Sequence, residues 1–504
     1  MIPMEMELLN EAQAVCFVGS SQIKWVTQLA NTAFKYTLHI DGVHKLHHGG
    51  WLLITIGPHV LSQQKADKTV THSYRPCVYM FTKEESMAST RVLCRAMNYV
   101  AMQYTGKALN PAAVNMDCSD KFRAGVLAEW PMARVITCWP HIKGKVKRGE
   151  YVKLTNSFHE RFAELVTRVH FAKTASMARL LADMAGKEMD VHLASTPELR
   201  TFWNTYMQGA WMCWSLGHCD GIPSQIANNQ PIETWHRWGV KQCKGELKKS
   251  TAEVLNASIP KLMKRDGILC YRTISLAILL YHSVSTLYRP YRDTAVRMPA
   301  ILRLDELPME WIVKEQYTTA RLLEMNSSNN IFIESATPIQ CYVLTTYGRD
   351  NFKKISQSLV NRYKRVSEGN PPAAGKPGKD FDKVDGICQA ICCVCEVTDE
   401  TALVRCKANP YNLGCECKGG RKTGMCAHIL AVTHTILKAQ PVEEQKKLSY
   451  CNLKLMGKAL TDKSKERGKW LKGKKAAKDL HFLHKDSSDD NSEDSNSDDS
   501  AEEW

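Results

Sequence analysis

The chain has 504 residues, 44% of them hydrophobic, a formal charge of +15 and 19 cysteines. That length exceeds what one core usually organises, so two to four domains are expected. The opening Met-Ile-Pro-Met-Glu-Met-Glu carries acids where a signal peptide needs bases, and the longest apolar run, near Ile274 to Leu280, is too short to cross a bilayer. Both argue against secretion and membrane insertion and predict a soluble, intracellular protein. An odd number of cysteines, without the density of a disulfide scaffold, points to reduced thiols and metal ligation. Charge is unevenly placed: residues 486–504 hold nine acids and no Lys or Arg, so the +15 total leaves +24 on residues 1–485. Such an excess suits a polyanionic partner such as nucleic acid.

After an N-terminal remnant at 1–29, residues from about 34 to 145 alternate strand-like and helical runs. Phe34, Tyr36, Leu38 and Ile40 alternate up to Asp41, which is the side-chain period of a strand. Trp51-Leu-Leu-Ile-Thr-Ile follows a Gly-Gly turn, and Pro76-Cys-Val-Tyr-Met-Phe predicts another strand. Ser86 to Tyr104 reads as a helix, Ala112-Ala-Val-Asn-Met as a buried strand, Lys121 to Trp130 as a helix and Ala133 to Cys138 as a strand. Three strands followed by helix, strand, helix, strand is the order of an α/β mixed sheet flanked by helices. Two acids end strands here, Asp41 in Leu-His-Ile-Asp-Gly and Asp117 in Ala-Ala-Val-Asn-Met-Asp. Acids at the ends of adjacent strands can converge on hard cations, which prefer oxygen ligands, and an acid from a helix would complete such a site. The competing reading is that these acids merely cap strands and helices.

From about 155 to 330 the chain reads as mainly helical, with Phe158, Phe162, Leu165 and Val169 on one face. Trp203, Tyr206, Trp211 and Trp214 are read as core, with a stacking surface for an unpaired base as the alternative. Residues 241–366 are expected to be a mainly helical connecting region. Between 367 and 380, Glu-Gly-Asn-Pro-Pro-Ala-Ala-Gly-Lys-Pro-Gly-Lys has the composition of a linker.

Cys415-Glu-Cys417, eight residues, then Cys426-Ala-His428 supplies three thiols and one imidazole, the full complement of a closed tetrahedral zinc site. Cys415 and Cys417 would share one side of an extended segment. Gly414, Gly419, Gly420 and Gly424 let the loop turn tightly. Leu430, Ile436 and Leu437 follow at roughly helical spacing, so the last ligand should open a helix. This order of ligands resembles the SWIM zinc finger, placed at 381–440. Cys392-Cys-Val-Cys-Glu-Val and Ala402-Leu-Val-Arg-Cys are expected to form a hairpin ahead of the ligands. Cys388, Cys392, Cys393, Cys395 and Cys406 have no familiar metal spacing and are read as structural. In the basic segment 459–485, Lys463, Lys465, Arg467, Lys469, Lys472, Lys474, Lys475 and Lys478 crowd around Trp470, which suits phosphate contact or nuclear import; a solvated charged face is the bland alternative. The acidic tail at 486–504 cannot bury apolar surface and should be disordered, competing with DNA for the lysines before it.

One further pattern joins these pieces. The run Asp117-Cys-Ser-Asp-Lys-Phe-Arg-Ala-Gly-Val-Leu-Ala-Glu-Trp-Pro-Met-Ala-Arg-Val-Ile-Thr-Cys-Trp-Pro-His ends in Cys138-x-x-His141, and Asn228-Asn-Gln-Pro-Ile-Glu-Thr-Trp-His carries Glu233. With Asp41 in its Asp-Gly context, these runs resemble the Mutator-like element (MULE) transposases. In that family the second catalytic Asp is followed by a helix, Phe/Trp-Pro, a strand and Cys-x-x-His, and a Thr-Asn-Asn-Pro-x-Glu run holds the third acid. Gln230 and His236 depart from the family pattern. The resemblance covers about residues 30–240, with a SWIM finger as the family's habitual C-terminal partner.

It implies an RNase H-like (DDE) domain at 30–240 with a helical insertion at about 145–225. It also implies Asp41, Asp117 and Glu233 as catalytic residues holding Mg²⁺ or Mn²⁺ for DNA strand cleavage and transfer, Asp41 bridging the ions. Cys138 and His141 are read as architectural beside that core. The expected partners are DNA and, through the finger, other proteins, with a homo-oligomer open and the nucleus as the location. A domesticated derivative acting as a non-catalytic DNA-binding, chromatin or transcription regulator is the runner-up, and an adaptor working through SWIM-mediated protein contacts is the third class. Only about 40 residues precede Asp41, so a separate DNA-binding module upstream, and with it recognition of specific element ends, is not expected.

Overall fold

In the computed structural model, which describes residues 13–32, 35–43, 50–63, 70–148, 156–219, 228–236, 250–259, 261–263, 297–299, 314–371, 380–397 and 409–443, the chain forms a mixed α/β structure with two sheets. The expected basic segment at 459–485, the acidic tail, the apolar run near Ile274 and the strand expected at 402–406 lie outside the described residues.

The first sheet comprises β1 (Ala14–Phe17), β2 (Thr37–Val43), β3 (Leu52–Gln63), β4 (Val70–Tyr74), β5 (Val78–Thr82), β6 (Ala113–Met116), β7 (Arg134–Thr137) and β8 (Arg297–Pro299). Its order is β1-β5-β3-β2-β6-β7, with β4 and β8 paired to β3. Strands β1, β5, β3 and β2 are joined antiparallel, whereas β6 joins β2, and β7 joins β6, in parallel. A parallel neighbour requires a crossover. Two helices supply it, α2 (Met87–Thr105) before β6 and α3 (Asp120–Glu129) before β7. α2 starts at a capping box between Ser86 and Ser89 and stops at Gly106, whose φ of 67° lies in the left-handed region that favours glycine.

Strand alternation divides the sheet. Leu38, Ile40, Val114, Met116 and Val135 share one core with Val92, Leu93 and Met97 of α2. His39, Asp41, Asn115 and Asp117 take the other face. β1 and α1 (Ser20–Asn31) occupy the stretch expected to be a remnant. Neither carries a strong local signal: β1 is four residues long and held by pairing with β5, and α1 is anchored by burying Trp25, Val26 and Leu29.

The helical part contains α4 (Trp139–Arg148), α5 (Asn156–His170) and α6 (Ala175–Glu188), followed by short turns at Asp190–Ser195 and Pro197–Phe202. Trp203, Tyr206, Trp211 and Trp214 are all buried, so they are core and not a stacking surface. Trp214 stacks on Trp139 with centroids 5.3 Å apart and donates Nε1–H to the Tyr206 carbonyl. After it comes the short α7 (Gln230–Trp235).

The second sheet has the order β12-β11-β10-β9. It is built from β9 (Ile331–Ala336), β10 (Ile339–Leu344), β11 (Ile391–Glu396) and β12 (Leu413–Cys415), with α8 (Lys314–Met325), α9 (Gln357–Ser367), α10 (Asp380–Ala390) and α11 (Ala427–Lys438) around it. The stretch expected to be mainly helical thus contributes a hairpin, β9–β10, whose β-branched and aromatic residues pair antiparallel. On its ligand side β11 pairs with β12, which ends at Cys415. Among the described residues no helix is long and apolar enough to cross a membrane.

Candidate active site and metal cluster

Register places three predicted residues in one row. β2 and β6 pair Leu38 with Val114 and His39 with Asn115, and the same offset carried two residues on sets Asp41 beside Asp117. β6 and β7 pair Met116 with Thr137, so the next step sets Asp117 beside Cys138. The backbone N–H of Cys138 donates to the Met116 carbonyl at 3.1 Å, which holds that step closed. The row lies just past the last parallel pairs, His39–Asn115 and Met116–Thr137, while β2 itself runs on to Val43 against β3.

Two helices bring the remaining groups. α4 begins immediately after Cys138 and carries His141 in its first turn, with Nδ1 2.9 Å from Asp117 Oδ1 and 3.6 Å from Glu233 Oε1. α7 presents Glu233, and just after it His236 Nδ1 sits 3.2 Å from Asp41 Oδ2. Asp41 Oδ1 accepts the Gly42 N–H at 2.8 Å. Cys138 and His141, expected to be architectural, therefore stand among the carboxylates: Asp117, Cys138 and His141 offer ligand atoms within 4.8 Å of one another.

Electrostatics follow from the crowding. Asp117 raises the His141 pKa against the opposing effect of burial, with Glu233 and Asp41 adding to the rise. Burial raises the Glu233 pKa, and the negative charges of Asp117 and Asp41 add to it while His141 opposes them. Beneath the row the setting is buried and polar. His39 Nδ1 meets Asn229 Oδ1 at 3.0 Å, and the His39 and His59 rings stack 3.2 Å apart. Desolvation holds His39 down at about 3, so it is neutral. His39, Asn229 and His236 were not among the expected site residues. His39 lies two residues before Asp41 and His236 three after Glu233, a local signal of shared faces, but the His39–Asn229 contact joins residues 190 apart and has none.

The second cluster is the Cys/His set. Cys415 ends β12, Cys417 caps a short helix at Lys418–Thr423, Cys426 caps α11, and His428 is the second residue of α11. All four ligand atoms lie within 4.8 Å of one another, with Cys415 Sγ and His428 Nδ1 at 3.6 Å. Thiol and imidazole donors at that spacing can hold a metal ion such as zinc. Gly424 takes φ 70° to end the short helix, and a Cβ on Gly420 would come within 2.6 Å of the Cys415 carbonyl. Cys392 on β11 also stands against Cys415 and His428, a neighbour that sequence spacing alone did not single out.

This cluster is joined to the helical part. The buried Lys173 donates Nζ–H to the carbonyls of Cys388, at 2.6 Å, and Ile391. Arg421 donates to the Lys173 carbonyl, and Glu416 accepts from Tyr363 and from the Cys393 N–H. No family model matches the chain, and no curated protein is similar to it in sequence.

Proposed function

We propose that the protein is a DNA transposase of the Mutator-like class, an RNase H-like polynucleotidyl transferase working in the nucleus. The observation that carries this reading is the convergence of Asp41 and Asp117, in register on adjacent parallel strands, with Glu233 from α7 facing them through His141. The run β5-β3-β2-β6-β7, antiparallel through β2 and parallel beyond it, supports an RNase H-like sheet. The three carboxylates offer the oxygen ligands that Mg²⁺ and Mn²⁺ prefer, and Asp117 Oδ1 and Glu233 Oε1, both shielded from solvent, fit such an ion. When bound, these ions activate the attacking oxygen and stabilise the leaving one.

The protein's own part is positioning. The Gly42 N–H fixes one Asp41 oxygen, and α7 holds Glu233 against the strand ends. The Cys/His cluster stabilises the C-terminal part, which with the basic segment Lys463 to Lys478 would contact DNA or protein.

A second reading, a non-catalytic derivative that binds DNA as a regulator, is favoured by the imidazoles set against the acids, His236 on Asp41 and His141 on Asp117. An imidazole set against these oxygens competes with a cation for them. Nicking of supercoiled DNA with Mg²⁺ or Mn²⁺ decides between them. The transposase reading expects cutting by the intact chain and none by Asp117→Ala, with DNA binding retained in both. Binding without cutting by the intact chain supports the regulator, and equal nicking by both proteins removes the carboxylate assignment.

A further inference from the structure

The row holds more than carboxylates. Asp117, Cys138 and His141 offer ligand atoms within 4.8 Å of one another, and Glu233 Oε1 is 3.6 Å from His141 Nδ1. His141 Nδ1 also stands 2.9 Å from Asp117 Oδ1, an imidazole paired with two carboxylates. All three atoms are shielded from solvent. Asp117, Cys138 and His141 lie close enough together to hold one metal ion.

The donor types decide which cation. Mg²⁺ is a hard ion that takes oxygen ligands, whereas a thiolate and an imidazole select zinc-like transition metals. The Asn229 N–H donates to Cys138 Sγ at 3.3 Å, the outer support that a ligating thiolate receives in metal sites. Asp117, Cys138, His141 and Glu233 together make an oxygen–sulfur–nitrogen–oxygen set of four, the number at which Zn²⁺ closes its shell.

We propose that these four residues form a transition-metal site, separate from the Cys415 cluster, that takes Zn²⁺ and shares Asp117 and Glu233 with the catalytic set. Zn²⁺ held there withdraws both carboxylates from Mg²⁺ and switches strand cleavage off. The switch rests on the catalytic reading above, whereas the site itself does not.

The test is metal counting on the full chain, stripped of metal under reducing conditions and titrated with Co²⁺. Two tight equivalents are expected, each with thiolate-to-cobalt charge-transfer absorption. One equivalent should be lost in Cys138→Ser and likewise in His141→Ala, with far-UV circular dichroism unchanged. His141 is the safer of the two positions because its side chain is 40% exposed. A single equivalent in the unmutated chain, or a second one that survives both substitutions, overturns the site. Zn²⁺ added beyond the first equivalent should abolish Mg²⁺-dependent nicking in proportion to the second equivalent bound, and nicking that ignores the second equivalent overturns the switch. Two equivalents bound with no nicking under any condition overturns the catalytic reading and leaves the metal site standing.

Discussion

His39 Nδ1 and Asn229 Oδ1 meet at 3.0 Å in the buried floor of the site, joining β2 two residues before Asp41 to the residue that precedes α7. Asn229 also gives its backbone N–H to Cys138 Sγ at 3.3 Å. A single residue thus ties the helix that carries Glu233 to the strands that carry the other ligands, by its side chain to His39 and by its backbone to Cys138. A helix as short as α7 has little stability of its own, so its position depends on contacts of this kind.

Replacing Asn229 by Ala leaves His39 Nδ1 unpaired in the interior, a loss of about 1–3 kcal/mol, and loosens α7. Mg²⁺-dependent nicking is expected to fall roughly tenfold or more, a barrier increase of about 1.4 kcal/mol per decade, while DNA affinity stays as it was. Single-turnover nicking rates compared with filter binding check this. An unchanged rate would show that other contacts suffice to hold Glu233.

Acid should destabilise the fold in a defined window. Burial holds His170 and His218 at about 4 and His39 at about 3, against an ordinary 6.5. Each is neutral when folded and takes up a proton near pH 6.5 once unfolded, so below that pH the unfolded state binds more protons. Stability is therefore fully present above about pH 6.5 and is lost as the pH falls toward 4. At 1.36 kcal/mol per pH unit, His170 alone accounts for up to roughly 3 kcal/mol. Thermal unfolding followed from pH 7.5 down to 4.5 should show a falling Tm, with a shallower fall in His170→Phe.

Lys173→Met should weaken the join between the helical part and the second sheet. The substitution strands two buried carbonyls, those of Cys388 and Ile391, and removes one of the positive charges that act on the half-buried Glu416. A loss of about 3 kcal/mol or more is expected, read by calorimetry. Metal content should not change, because Lys173 is not a ligand; a variant that loses metal in step with stability would contradict this.

Metal removal should be felt beyond the cluster. The buried residues of α9, α10 and β11 belong to the same core as Trp214 and the first sheet, while the cluster packs on the other face of β11. Chelation, or Cys426→Ser, is therefore expected to lower the Tm of the whole protein in one transition rather than melt residues 409–443 alone. Far-UV dichroism and tryptophan fluorescence recorded together test it. Fluorescence that stays native while helix content drops would mean the cluster unfolds independently.

Much of this was legible locally. The alternation from Tyr36 to Ile40, the cap at Ser86, and the helix opening at His428 are encoded within a few residues of where they act. The β9–β10 hairpin was hidden because Ile339–Leu344 acquires strand pairing from β11, which lies some fifty residues downstream, and Ile331–Ala336 pairs in turn with Ile339–Leu344. The basic segment and the acidic tail lie outside the described residues, so their charge pattern stands as a sequence property.

The sequence by itself determined which atoms are on offer: acids on two strands, a third acid at Glu233, and three thiols with an imidazole in one loop. These follow from side-chain period, caps and ligand spacing, all of which are short-range. Only the tertiary structure decided the company they keep. Parallel register set Asp41, Asp117 and Cys138 in a row, and helix docking turned His141 and His236 onto the carboxylates, because strand pairing and packing join residues that no local pattern relates.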